Sequence, residues 1–159
     1  MKYYYRVKYW ISKGAPKSKL VVGIPTYGRS WTLSTTLTSP GSPASGGANA
    51  GAITQTSGFL GYNEICLNVK NNGWTVIQDP TMKMGPYSVK GNQWVGYDDP
   101  AMASVKAKYI MEKDLGGAMF WDLSTDDFDN HCGEGKYPII SAVNRIVGSS
   151  NCLGKTTKL

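Results

Sequence analysis

Several common chemistries are missing from this sequence. Its 159 residues hold one histidine, His131, and three cysteines, Cys66, Cys132 and Cys152, with no C-x-x-C pair and no zinc-ligand spacing. That excludes a zinc finger, a thioredoxin-like redox site and a disulfide-dense mini-protein. The odd thiol count leaves two readings: all three are reduced and buried in a cytosolic protein, or two pair in an oxidising compartment and the third is free or has lost its partner. No apolar run approaches the roughly 20 residues that a membrane-spanning helix needs, so no membrane partner is expected. Without G-x-S-x-G, G-x-G-x-x-G or a phosphate-binding loop, His131 has no nucleophile to serve and no cofactor is expected. The acidic run WDLSTDDFD, with Asp122, Asp126, Asp127 and Asp129 just past a strand end where α/β folds place ligand groups, lacks the calcium-loop pattern, so Asp126, Asp127 and Asp129 are read as helix caps and loop turns and no metal site is expected. Arg6 and Lys8 interrupt MKYYYRVKYWISKGAP, so no cleavable signal peptide is expected, and there is no N-x-S/T sequon.

Lysine and arginine outnumber aspartate and glutamate by 17 to 11, a net charge of +6, but they are spread from Lys2 to Lys158 with no four in a row. Such a surface is solvated rather than shaped for a polyanion, and no nucleic-acid partner is expected. Aromatics, by contrast, are plentiful: five Trp, ten Tyr and three Phe. Exposed aromatic faces suit stacking on sugars or bases.

The patterning is that of an α/β protein. Tyr3, Val7, Trp10 and Ile11 recur on one helical face, and Gly14 and Pro16 stop the helix. LVVGIP, 20–25, reads as a strand buried on both faces. From Ser34 to Gly58 the chain turns to Ser, Thr, Gly, Pro and Ala, a long excursion. Within 59–97, FLGYNEICL, WTVIQ, PYSV and QWVGY are short runs divided by turn signals, and small antiparallel strands are expected. Asp99 caps a helix opened by Pro100 and ended by Gly116-Gly117. AMFWDL, 118–123, is a second buried strand, and Pro138 opens a helix with Ile139, Ile140, Val143, Ile146 and Val147 on its inner stripe, ended by Gly148 before a polar tail. Two parallel strands alone leave two open apolar edges, so the pattern is that of the C-terminal piece of a larger α/β fold beginning inside a helix. Around the two strand ends stand Tyr27, Arg29 and Trp31 in TYGRSW and Trp121 in AMFWDL. Rings for the apolar side of a sugar and a guanidinium fork for its oxygens make carbohydrate the best physical fit, with core packing of Trp31 and Trp121 as the alternative.

KLVVGIPTYGRSWTL, YNEIC, QWVGYDDP, LGGAMFWDLSTDDF and GKYPII, in that order and at these separations, closely resemble the C-terminal half of family 18 glycoside hydrolases, the animal chitinases and chitinase-like lectins. The resemblance implies an α/β fold, the C-terminal part of a TIM barrel, lacking its N-terminal half. Residues 1–30 are then the end of helix 6 and strand 7, 31–97 an α+β insertion domain walling a sugar groove, and 98–147 helix 7, strand 8 and helix 8, followed by a polar tail at 148–159. Carried over, Trp121 matches the tryptophan that floors the sugar pocket, and Tyr27 and Arg29 match residues that contact bound sugar beside it. Cys66 and Cys132 match a family disulfide, which leaves Cys152 as the odd thiol. The family's chitin or chito-oligosaccharide ligand and secreted, extracellular location are implied for the parent protein. Two departures stand out. Many members have Glu and Met where this chain has Thr56 and Phe59, and the catalytic D-x-x-D-x-D-x-E motif does not occur, so no catalytic residue is assigned. Neither Glu64 nor Glu112 nor Glu134 has flanking aspartates to tune it. The resemblance thus implies either part of a chitinase that hydrolyses β-1,4-linked N-acetylglucosamine by substrate-assisted retaining catalysis, inactive as this chain alone, or part of a chito-oligosaccharide-binding lectin without hydrolase activity.

Overall fold

A computed structural model describes residues 2–151. Helix α1 (Lys2–Ser12) leads into strand β1 (Val21–Pro25), which pairs in parallel with β8 (Gly117–Trp121) in register Val22↔Ala118 and Ile24↔Phe120. Helices α3 (Pro100–Glu112) and α4 (Pro138–Asn151) cover one face of this pair. Ile24 of β1, Ala103 and Ala107 of α3, and Ile139 and Val143 of α4 form one buried cluster, while Val22 joins Val7, Tyr109 and Ile110 in another. The Asp99 carboxylate accepts from Met102 N at 2.7 Å and Pro100 takes the first helical position, which fixes where α3 starts.

Between β1 and α3 lies a six-stranded antiparallel sheet: β2 (Tyr27–Leu33), β3 (Ala44–Gly47), β4 (Phe59–Gly61), β5 (Thr75–Ile77), β6 (Tyr87–Lys90) and β7 (Gln93–Gly96). The order is β3-β2-β7-β6-β5, with β4 also on β2. Helix α2 (Tyr62–Asn71) packs on one face of it, where Ile65 meets Leu60 and Val95. Gly28 is required there, because a Cβ would stand 2.5 Å from Val95 and 2.9 Å from Ile65. The opposite face carries Tyr27, Arg29 and Trp31 at alternate positions of β2.

Several sequence expectations are corrected. FLGYNEICL is not a strand: only 59–61 is extended, and 62–71 is helix α2, begun by the Glu64 carboxylate reaching back to Gly61 N at 2.9 Å. Neither β1 nor β8 is buried on both faces. Val22 and Ile24 point into the core, but Val21, Met119 and Trp121 are exposed, because helices cover only one side of this two-stranded sheet. The second strand ends at Trp121, and 123–125 form a 3-10 turn capped by the Asp122 carboxylate on Ser124 N and Thr125 N. Trp10 lies outside the inner face of α1; Tyr4 takes its place against Tyr109. Gly148 does not end α4, which runs on to Asn151, so 148–151 is not tail, and Cys152 with the rest of the tail lies outside the described residues. No helix among the described residues is long and apolar enough to cross a membrane.

Candidate functional site

The ends of β1 and β8 are tied together before any functional side chain is placed. Thr26, fully buried, donates its hydroxyl to the Asp122 carbonyl at 2.5 Å, shares a 2.7 Å hydroxyl contact with Thr125, and donates its backbone N–H to the Trp121 carbonyl at 3.1 Å. Pro25 stands opposite Trp121 in the parallel register. This fixed corner leaves the Trp121 side chain 65% exposed, on the uncovered face of the sheet beside Met119. Among the described residues, neither Trp121 nor Trp31, 46% exposed, packs into a core cluster of this chain.

Past the corner, Tyr27 and Arg29 lie on the open face of β2. The Tyr27 ring stacks on Phe59 of β4 with centroids 4.7 Å apart, and the Arg29 guanidinium carbon sits 5.4 Å from the centre of each ring. Both rings thereby hold the exposed guanidinium by cation–π attraction. A cavity of about 370 Å³ opens beside them, lined by Pro25, Tyr27, Arg29, Trp94 and Asp98 among others. Its lining is mainly apolar, with a few convergent polar groups, as small-molecule sites are.

Asp98 is buried and ion-paired with Lys106 of α3. Burial pushes its carboxyl up from the usual carboxylate range, against the pull of the lysine. Tyr62, buried in one core cluster with Ile24 and Ala103, donates to the Glu134 carboxylate at 2.6 Å, and burial followed by that carboxylate raises its phenol well above its ordinary range.

Several of the remaining acidic groups hold backbone. Asp126 and Asp127 are fully buried. Asp126 accepts from Ile140 N at 3.1 Å at the start of α4, and Asp127 accepts from His131 N and Cys132 N, each at 2.9 Å. Asp129 and His131 are an exposed pair 3.9 Å apart. Glu64 is occupied as well, accepting from Ile53 N, Thr54 N, the Thr54 hydroxyl and Gly61 N. Cys66 of α2 and Cys132 are joined in a disulfide with Cα atoms 5.9 Å apart, linking the sheet's helix to the loop after β8. Their sulfurs lie near the Asp127 carboxylate, but the sulfurs are bonded to each other and the carboxylate to backbone N–H groups. Thr56, exposed, donates to the Thr54 carbonyl at 2.9 Å.

Sequence reasoning did not single out Phe59 as the partner of Tyr27, nor Met119 beside Trp121. Alternation along AMFWDL would have put Met119 and Trp121 on one face; the Tyr27–Phe59 contact depends on the β2–β4 pairing, which no local pattern announces.

Known proteins share this fold. The model of "Glycosyl hydrolases family 18" matches residues 1–126. Human chitinase-3-like protein 2 is 50% identical over 146 residues, covering 91% of this chain and 37% of that protein. Among solved structures, catalytic domain 2 of the Ostrinia furnacalis Group II chitinase superposes with a TM-score of 0.90 at 43% identity, covering 92% of this chain and 39% of that one. Human YKL-39, described as a pseudo-chitinase with retained chitooligosaccharide binding properties, superposes at 0.86 with 48% identity, covering 92% and 40%. The chain thus spans under half the length of the relatives it matches.

Proposed function

The chain belongs to glycosyl hydrolases family 18, and we propose that it forms part of a groove that binds β-1,4-linked N-acetylglucosamine chains, with Trp121 as the stacking floor and Tyr27 and Arg29 as contacts beside it. The observation that carries this reading is the Tyr27–Arg29–Phe59 cluster on the open face of β2, just past the corner where Pro25 and Trp121 stand opposite each other at the strand ends. A tryptophan face on a fixed corner at a strand end is well suited to the apolar side of a pyranose ring. The Arg29 fork adds donors for hydroxyl or acetamido oxygens.

In this reading residues 1–30 and 98–147 are the last strands and helices of a TIM barrel, and 31–97 is the insertion domain. The uncovered face bearing Val21, Met119 and Trp121 then lines the barrel interior once an N-terminal half supplies the other strands. The Cys66–Cys132 bridge supports an extracellular parent.

The chemistry of hydrolysis belongs elsewhere. In the substrate-assisted mechanism the sugar's N-acetyl oxygen takes the place of a protein nucleophile and a glutamate protonates the leaving oxygen. Glu64 caps backbone and Glu134 accepts from Tyr62, so neither is a groove acid. A second reading, a lectin without hydrolase activity, is favoured by the likeness to the pseudo-chitinase. A D-x-x-D-x-D-x-E motif in the parent supports the hydrolase, and a substituted terminal glutamate the lectin.

The test is a pair of assays. On the purified chain, a fluorogenic chitobiose reporter should release no fluorophore above a blank, since loss of the general acid alone typically costs ~10²–10⁴-fold. In a polypeptide completing the barrel, calorimetry should detect chito-oligosaccharides and not cello-oligosaccharides, which lack the acetamido group; equal binding of both, or of neither, would refute the groove.

A further inference from the structure

The aromatic face of the sheet does not stop at Arg29. Trp31 follows two residues on, on the same side of β2, opposite Trp94 of β7. The Trp94 ring lies across Gly96, where a Cβ would stand 2.7 Å from it, and stacks on Tyr87 with centroids 5.4 Å apart and planes 23° from parallel. Its indole N–H donates to the Thr38 carbonyl at 3.0 Å, which holds the 34–43 loop over the sheet. Between that loop and the two tryptophans is a cavity of about 240 Å³, lined by Trp31, Trp94, Ser39 and Ser42. Trp94 also lines the cavity beside Tyr27 and Arg29, so the two spaces adjoin across one indole.

Tyr27, Arg29 and Trp31 occur at successive same-face positions of an extended strand, about 7 Å per step, so from Tyr27 to Trp31 is roughly the reach of two to three pyranose rings. A half-exposed indole, a second indole locked beneath a loop, and serine hydroxyls at the rim are the parts of a sugar-stacking site. Nothing in the fold needs Trp31 to be exposed. A β-branched residue would serve the β2–β7 pairing with less apolar surface in water.

We propose that Trp31, backed by Trp94 and the 39–42 loop, is an outer subsite that stacks a sugar unit of long chito-oligosaccharides which short ones do not reach. The proposal rests on the groove reading above and extends it along β2. It predicts a length dependence that a merely structural tryptophan would not produce.

The experiment compares chitotriose with chitohexaose by calorimetry on a polypeptide completing the barrel, for the unmodified protein, Trp31→Phe and Trp31→Ala. Trp31→Ala should weaken chitohexaose binding by roughly tenfold, the scale of one aromatic contact, and leave chitotriose within about twofold. Trp31→Phe should retain most of the difference. On the unmodified protein, the Trp31 indole N–H resonance should shift with chitohexaose and not with chitotriose, a readout that needs no variant to fold. Equal losses at both lengths, no loss at either, or an unmoved resonance would overturn the outer subsite while the groove stands. If the unmodified protein binds neither oligosaccharide, the groove reading falls and takes the subsite with it.

Discussion

Arg29 owes its position to two rings, Tyr27 and Phe59, each 5.4 Å from its guanidinium carbon. A lysine there would keep the charge and lose the planar fork, so Arg29→Lys should weaken oligosaccharide binding by about 1 kcal/mol with little change in melting temperature, as read by calorimetry beside thermal unfolding. Asp79 supplies a pH-dependent prediction. Its carboxylate accepts from Thr81 N, the Thr81 hydroxyl, Lys83 N and Met84 N, and these bonds, led by Thr81, hold its pKa at about 2. A carboxyl lowered in the folded state stabilises it above the ordinary carboxylate pKa near 4 and loses that contribution as pH falls through 2. The turn at 79–84, which places Met84 at the cavity edge, should therefore loosen between about pH 4 and pH 2. NMR titration of the Asp79 carboxyl carbon should give a midpoint near 2; a midpoint near 4 would show the turn unformed. At this scale the sequence displayed Tyr27, Arg29 and Trp121, because each sits in a motif at a strand end. It concealed Phe59, whose role arises only when β4 folds back onto β2.

Among the elements, α3 was legible because its start is written locally: Asp99 caps and Pro100 follows. Helix α2 was not, since its cap is Gly61 rather than Ser or Thr, and only Glu64 at the third helical position marks the capping pattern. The continuation of α4 through Gly148 shows the same limit, since a glycine weakens a helix by only about 1 kcal/mol and need not end it. The disulfide between α2 and the loop after β8 closes a span of 66 residues, for which loop-closure arithmetic gives roughly 4 kcal/mol in the ideal case. Changing both Cys66 and Cys132 to serine should lower stability by about 2–4 kcal/mol in denaturant unfolding. Amide exchange in the loop after Asp127 should rise less than in α2, since Asp127 still holds His131 N and Cys132 N. Unchanged stability on loss of the bridge would mean that Asp126 and Asp127 fix the loop unaided.

For the whole molecule, the telling feature is a parallel pair of strands covered on one face only. The sequence reading of two fully buried strands failed because periodicity reports that a run is apolar, not which neighbours cover it. Apolar β1 and β8 were written for two covers, and helices α3 and α4 supply one. The inference of an open-edged piece of a larger α/β fold came from the same patterning and agrees with a chain spanning under half of its relatives. In the proposed reading this face turns to the interior of a completed barrel, and Trp121 is its largest exposed ring. The most direct measurement is chito-oligosaccharide affinity and melting temperature on one variant, Trp121→Ala, in a polypeptide completing the barrel. Removal of an exposed stacking ring should cost roughly 1–3 kcal/mol of binding with the melting temperature nearly unchanged. Unchanged affinity with a fall of many degrees in melting temperature would contradict the account, for Trp121 would then serve the fold rather than the sugar.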